Sequence, residues 1–294
     1  MSFAISPLDR AAPSLRSEWR VTAVLGTLSR DRHRGARGWR FGMLRRGFAS
    51  APVIASLLIA SCAGAHAGEP RAFLELFTSQ GCSSCPPADK LLGDLTSDPS
   101  LVAVSVPIDY WDYLGWKDTL ASPGHSARQR AYARSRGDRQ VYTPQIVVNG
   151  AMHVLGSDRA AIERAITQTD RNVAIMSVPI LLSVGGSNLS VKVGAAEKTH
   201  GGEVWLCPLA KSVPVEIGRG ENHGRNITYH NVVRRWVKLG DWNGADVTWS
   251  VPLANVAVDD VDAAAVMVQE GTRDKPGIVL GAAFAPMVQQ TSDR

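Results

Sequence analysis

The arrangement that most constrains this chain is an apolar run, Ala72 to Phe77, ending in a small-residue turn and followed at once by Gly81-Cys82-Ser83-Ser84-Cys85-Pro86-Pro87. Behind the second cysteine, Ala88, Leu91, Leu92 and Leu95 fall at i, i+3, i+4 and i+7, the spacing of one buried helix face. Strand, turn, CxxC and helix form the setting in which that spacing reads as a dithiol redox centre. Two intervening residues at a helix start bring both sulfurs within bonding reach and leave the first facing solvent. The unpaired N–H groups of the helix end then stabilise a thiolate. Two other readings stay open. Half of a zinc site is one, although the chain supplies no second CxxC and no HxxxH. A purely structural disulfide is the other.

The 294 residues carry a formal charge of +5, but the excess sits at the front. Residues 1–67 hold ten Arg and three acidic residues, which leaves 22 basic and 24 acidic residues after them, net −2. A basic nucleic-acid-binding surface is therefore unsupported. Met43-Leu44-Arg45-Arg46 opens a charged segment, Ala49 to Ala60 is a short apolar one, and Ala65-His66-Ala67 supplies an A-x-A cleavage site. This succession reads as a bacterial export signal cleaved near Ala67, too short for a membrane span. Arg45-Arg46-Gly47-Phe48 also resembles a twin-arginine signal, and Ile59-Ala60-Ser61-Cys62 loosely resembles a lipoprotein box. The expected location is the periplasm or the exterior, where an oxidising milieu lets a CxxC cycle as a disulfide.

From 68 to 172 the pattern alternates strands with helices. A second apolar run, Leu101 to Val106, leads into the aromatic loop Asp109-Tyr110-Trp111-Asp112-Tyr113-Leu114-Gly115-Trp116. Ser122-Pro123 opens a helix that Gly137 stops. Thr143-Pro144 directly precedes the strand Gln145 to Val148, Asn149-Gly150 marks a hairpin, and Ser157/Asp158 caps a closing helix. From 173 to 294 short strand runs without helices predict an all-β, sandwich-like module. Two of these runs are Val204–Leu209 and Val213–Ile217, and a third is Ile227–Val237.

The order β–(CxxC)α–β–α–(TP)β–β–α resembles the thioredoxin fold. ELFTSQGCSSCPPAD, DYWDYLGWKD, RQRAYA, VYTPQIVVNG and GRGENHGRNITYHNVV resemble an uncharacterised bacterial family of secreted thioredoxin-like proteins, a domain-of-unknown-function family. That resemblance spans almost all of residues 70–285. It implies the fold and, more weakly, an activity, with Pro144 cis and facing the CxxC. The chain departs from ordinary thioredoxin in three places. Gly81 stands where a Trp precedes the first cysteine, Ser83-Ser84 replaces Gly-Pro, and a helical insertion separates the second and third strands. Thioredoxins also carry a buried acid in the first of these strands that accepts a proton from the resolving thiol. Glu75, one residue further from the first cysteine, is the matching residue here, expected beneath Cys85 with a raised pKa; a salt-bridged or edge-facing Glu75 is the alternative.

The leading expectation is thus a periplasmic or secreted thiol–disulfide oxidoreductase. Cys82 attacks, Cys85 resolves, and Thr143 and Pro144 hold the substrate backbone. Trp111 and Trp116 lie at the carboxyl end of the second strand, where α/β sheets place ligands. No organic cofactor is expected, since the cysteines hold the two electrons; partners are protein thiols or small-molecule disulfides, with no nucleic acid. The competing expectations are a binding or assembly protein with a structural disulfide, and a metal chaperone. Cys207 reads as a lone buried thiol. Arg128, Arg130, Arg134, Arg136 and Arg139 read as a solvated helix face, and the polar loop 218–226 as a bare hairpin tip or a contact surface.

Overall fold

Every residue of the first strand, β1 (Ala72–Thr78), is buried, as is every residue of β2 (Leu101–Pro107), which lies parallel to it. A strand covered on both faces needs side chains that suit two cores, and period-two alternation supplies them. Leu74 and Leu76 point to a cluster shared with α1 (Pro86–Leu95) and α3 (Arg159–Thr169), through Leu92, Leu95, Ile162 and Ile166. Phe73 and Phe77 point the other way, to Val102, Val104 and Tyr132 of α2 (Pro123–Arg136). Two helices therefore cover one face and one covers the other.

The computed structural model describes residues 69–196, 201–257 and 260–287. The export-signal features read between Met43 and Ala67 lie outside the described residues. Among the described residues no helix is long and apolar enough to cross a membrane.

Local signals act where they were expected. Ser122 accepts a hydrogen bond from Gly124 N at 3.2 Å to start α2, and Gly137 ends it in the left-handed region at φ 77°. Asp158 caps α3 through Ala161 N. Strands β3 (Gln145–Val148) and β4 (Met152–Leu155) form an antiparallel hairpin turned at Asn149 and Gly150, both at positive φ, and β3 runs antiparallel to β1.

The strands of the second half do not stand apart. They are β5 (Ile180–Gly185), β6 (Asn188–Val193), β7 (Gly202–Glu216), β8 (Asn226–Val233), β9 (Val237–Trp242), β10 (Val247–Pro252), β11 (Ala263–Thr272) and β12 (Lys275–Pro286). β8 pairs in parallel with β2 at Ser105 and Val232. The main sheet therefore runs β12-β11-β7-β8-β2-β1-β3-β4, with β9 beside β7. A three-stranded sheet, β10-β6-β5, packs on its far end around Leu189, Val191, Leu206, Trp242, Trp249 and Val266. The second half was expected as a separate all-β module, but the layer this small sheet packs on is the continuation of the first half's sheet. The fold is mixed α/β and mostly strand.

Two expected runs, Val204–Leu209 and Val213–Ile217, are one strand. β7 pairs with β9 through Gly202–Leu206 and with β8 through Leu209–Glu216, so its length serves two neighbours in turn. Conversely, the expected run Ile227–Val237 divides into β8 and β9, with Arg234, Arg235 and Trp236 between.

Candidate functional site

At the carboxyl end of β1 the chain turns through Ser79, Gln80 and Gly81. Ser79 Oγ accepts from Gly81 N, Cys82 N donates to Ser79 O at 3.2 Å, and Cys85 N donates to Cys82 O at 3.1 Å. The tight turn delivers Cys85 to the N-cap of α1, where Pro86 and Pro87 follow and need no N–H partner. Cys82 and Cys85 form a disulfide with Cα atoms 5.4 Å apart, inside the usual range. The first sulfur does not face solvent as expected: Cys82 is 4% exposed and Cys85 0%. The residues at the surface are Ser83 and Ser84.

Thr143 and Pro144 are joined by a cis peptide bond. A Cβ on Gly156 would lie 3.2 Å from Pro144 Cβ and 3.3 Å from Ala88 Cβ, so Gly156 stands between Pro144 and the first turn of α1. Trp111 joins the two segments. Its Nε1 donates to Thr143 Oγ1 at 2.8 Å, and its Cβ lies 3.2 Å from where a Cβ on residue 81 would be. Glycine at 81 is what lets the aromatic loop close over the turn before Cys82. Tyr113 stacks on Trp111 at 6.3 Å and is 76% exposed. Cys82, Cys85, Thr143, Pro144 and Trp111 are thus gathered in one place.

Trp116 is engaged differently. Its Nε1 donates to Gln80 Oε1 at 2.8 Å, and Gly218 and Gly220 press on it. It packs between the CxxC turn and the loop joining β7 to β8.

Glu75 takes the salt-bridged placement, the alternative to one beneath Cys85. It is fully buried, but alternation along β1 places it on the Phe73–Phe77 face, opposite the face that α1 covers. There Arg128 Nε donates to Glu75 Oε1 at 2.5 Å and Arg128 Nη2 to Oε2 at 3.1 Å, and the Tyr132 hydroxyl donates to Oε2 at 2.5 Å. It is a salt-bridged acid and does not lie beneath Cys85. Arg128 accordingly leaves the solvated helix face: it is buried, stacks over Trp236 at 4.1 Å and donates to Gln269 Oε1 at 3.0 Å. Among the described residues no group of three or more His, Cys, Asp or Glu side chains is placed to hold a metal ion.

Residues 73–269 match the family described as "Protein of unknown function (DUF1223)". The chain belongs to that family. A crystal structure of a protein from Agrobacterium tumefaciens is similar to this DUF1223 protein at 30% identity, with a TM-score of 0.68, over 77% of this chain and 98% of that one. No curated protein matches.

The acid on the disulfide side of this DUF1223 chain is one that sequence reasoning missed. Asp89 lies one helical turn after Cys85, its N donating to Cys85 O at 3.0 Å. Its carboxyl is buried; Oδ1 accepts from Thr78 Oγ1 at 2.7 Å and Oδ2 is buried without a partner. Burial pushes its pKa up to about 8, against the Thr78 hydrogen bond and aided by the charge of Asp118. Asp118 is itself raised to about 6 by burial, opposed by hydrogen bonds from the backbone N–H groups of Gln80 and Leu120. The available signal was a carboxylate four residues after Cys85, on the same helix face. An acidic residue in a first helical turn ordinarily reads as a partner of the helix dipole, and that hid it. Cys207 is a buried thiol on β7, its pKa raised by burial, in keeping with the lone-thiol reading.

Proposed function

We propose that the protein is a thiol–disulfide oxidoreductase on a thioredoxin-like arrangement. The observation that carries this is the Cys82–Cys85 disulfide at the head of α1, directly after a central strand and linked through Trp111 to Thr143 of the cis Thr143-Pro144 pair. The order β1-α1-β2-α2-β3-β4-α3, with β1 and β2 parallel and β3 and β4 antiparallel, supports the arrangement. The export signal read near Ala67 supports a periplasmic or secreted site of action, and the substrates are protein thiols or small-molecule disulfides.

In the oxidising direction a substrate thiolate attacks the Cys82 sulfur, since Cys85 has no exposure. A substrate–Cys82 disulfide forms, the Cys82–Cys85 bond breaks, and the electron pair leaves on Cys85. Asp89, protonated below about pH 8, gives its proton to that thiolate. A second substrate thiolate then attacks the substrate sulfur of the mixed disulfide and releases Cys82 as a thiolate. The substrate dithiol has lost two electrons and the centre has gained them. The reverse sequence reduces a substrate, with Asp89 as proton acceptor when Cys85 resolves. Trp111, Thr143 and Pro144 border the path of the substrate chain.

Cys85→Ser tests the assignment. It should accumulate a covalent adduct at Cys82 when mixed with a disulfide-bonded peptide, read by intact mass, while Cys82→Ser forms none. Equal exchange by both variants and the parent would overturn it. One observation favours a second reading, a binding protein with a structural disulfide: Cys82 is only 4% exposed. In that case the reduced protein would not alkylate at Cys82 at pH 6 faster than a free thiol.

A further inference from the structure

The loop between β7 and β8 reaches from the second half of the chain onto the CxxC turn. Ile217 N donates to Arg225 O at 3.0 Å, Gly224 N to Ile217 O at 2.8 Å and His223 N to Gly220 O at 3.1 Å, with Gly220 and Gly224 at positive φ. Arg219, Glu221, His223 and Arg225 are exposed, whereas Asn222 is fully buried. A primary amide has two N–H donors on one nitrogen. Asn222 directs that nitrogen away from its own loop, to Gln80 O at 2.9 Å and Cys82 O at 2.8 Å. The second of these carbonyls is the one that accepts Cys85 N and closes the turn.

Gln80 is held from its other sides as well. Its N donates to Asp118 Oδ2, its Nε2 to Thr119 Oγ1, and its Oε1 accepts from Trp116 Nε1. Gly218 lies on the Trp116 ring and Gly220 on its Cβ, where an added Cβ would stand 3.1 and 3.4 Å away. With Trp111 over Gly81 on the other side, the segment before the first cysteine is enclosed, and Cys82 is left almost covered beside the exposed Ser83.

We propose that this loop is a strap that sets substrate specificity, with Asn222 as its positioning residue. It holds the Gln80–Cys82 segment so that a thiol on a slender carrier reaches the Cys82 sulfur and a cysteine set in the surface of a folded protein does not. The inference rests on the oxidoreductase reading for its meaning, but its test needs only the disulfide. Reduction of Cys82–Cys85 is followed in the whole protein with two probes, dithiothreitol and reduced thioredoxin, in the parent and in Asn222→Ala.

In the parent, dithiothreitol should act much faster than the folded dithiol. In Asn222→Ala the thioredoxin rate should rise about tenfold, the size expected on losing two hydrogen bonds, while the dithiothreitol rate stays within about twofold. A rise by the same factor for both probes would mean that the residue only stabilises the disulfide, and would overturn the strap. No change with either probe would overturn it too. If Asn222→Ala does not fold, as judged by melting, Asn222→Asp keeps the shape and turns an oxygen toward both carbonyls. The unaltered protein decides the matter without any variant if thioredoxin reduces it as fast as dithiothreitol, which contradicts the proposal. Failure of the oxidoreductase reading looks different: no adduct with Cys85→Ser, whatever the ratio of the two rates.

Discussion

Glu75 and Arg128 meet in a buried ion pair across the interface of β1 and α2, Nε to Oε1 at 2.5 Å. The Tyr132 hydroxyl joins the same carboxylate, and Arg128 continues to Gln269 on β11. One buried charge pair therefore ties the first strand, the second helix and the second half of the chain. A buried pair of this kind adds little over apolar packing, but removing one partner leaves the other charge unpaired.

Glu75→Gln is accordingly expected to lower the unfolding free energy by about 3–5 kcal/mol, measured by urea titration. Because Glu75 lies on the far face of the sheet from α1, the pH profile of thiol exchange should not move. A shifted profile with unchanged stability would contradict the placement.

Asp89 predicts a pH dependence of stability. An unfolded aspartate keeps its proton to about pH 4, the folded Asp89 to about 8. Between those values the folded state binds the extra proton, so stability falls as pH rises through that window and is flat above it. Asp118, raised to about 6, adds the same sign over a narrower range. His125, buried and lowered to about 4 with its Nδ1 on Pro107 O, acts oppositely as pH falls from about 6.5. Asp89→Asn should therefore be more stable than the parent near pH 8, and the gap should close near pH 4. Unfolding curves at several pH values check this; a gap independent of pH would contradict it.

Tyr113 is mostly exposed and stacked on Trp111 beside Thr143. Tyr113→Ala should leave stability within about 0.5 kcal/mol of the parent. In exchange with cysteine peptides it should raise KM and leave kcat unchanged. Steady-state kinetics with one aromatic and one glycine-flanked peptide make the measurement.

Cys207 should stay unmodified when the reduced, folded protein is treated with iodoacetamide, while Cys82 reacts. Burial disfavours its thiolate, and denaturant should release it. Peptide mapping distinguishes the three sites.

The local parts of this architecture were legible because local residues build them. Ser122 with Pro123, Gly137, Asp158 and Asn149-Gly150 each fix a cap or turn within a few positions. The pairing of β8 with β2 was not legible, since Ser105 and Val232 meet across a separation that no short-range pattern records. The same distance hid Asn222, whose partners are Gln80 and Cys82. Alternation groups Glu75 with Phe73 and Phe77, but sequence does not say which face the CxxC helix covers, and that decided its role. Arg128 was masked by the arginines around it, which are mostly exposed.

The most direct test of the account is the equilibrium of Cys82–Cys85 with a glutathione buffer, read by mass after trapping free thiols. A centre that exchanges with substrates should show a potential between about −270 and −120 mV. A potential below about −300 mV, the range of structural disulfides, would contradict it.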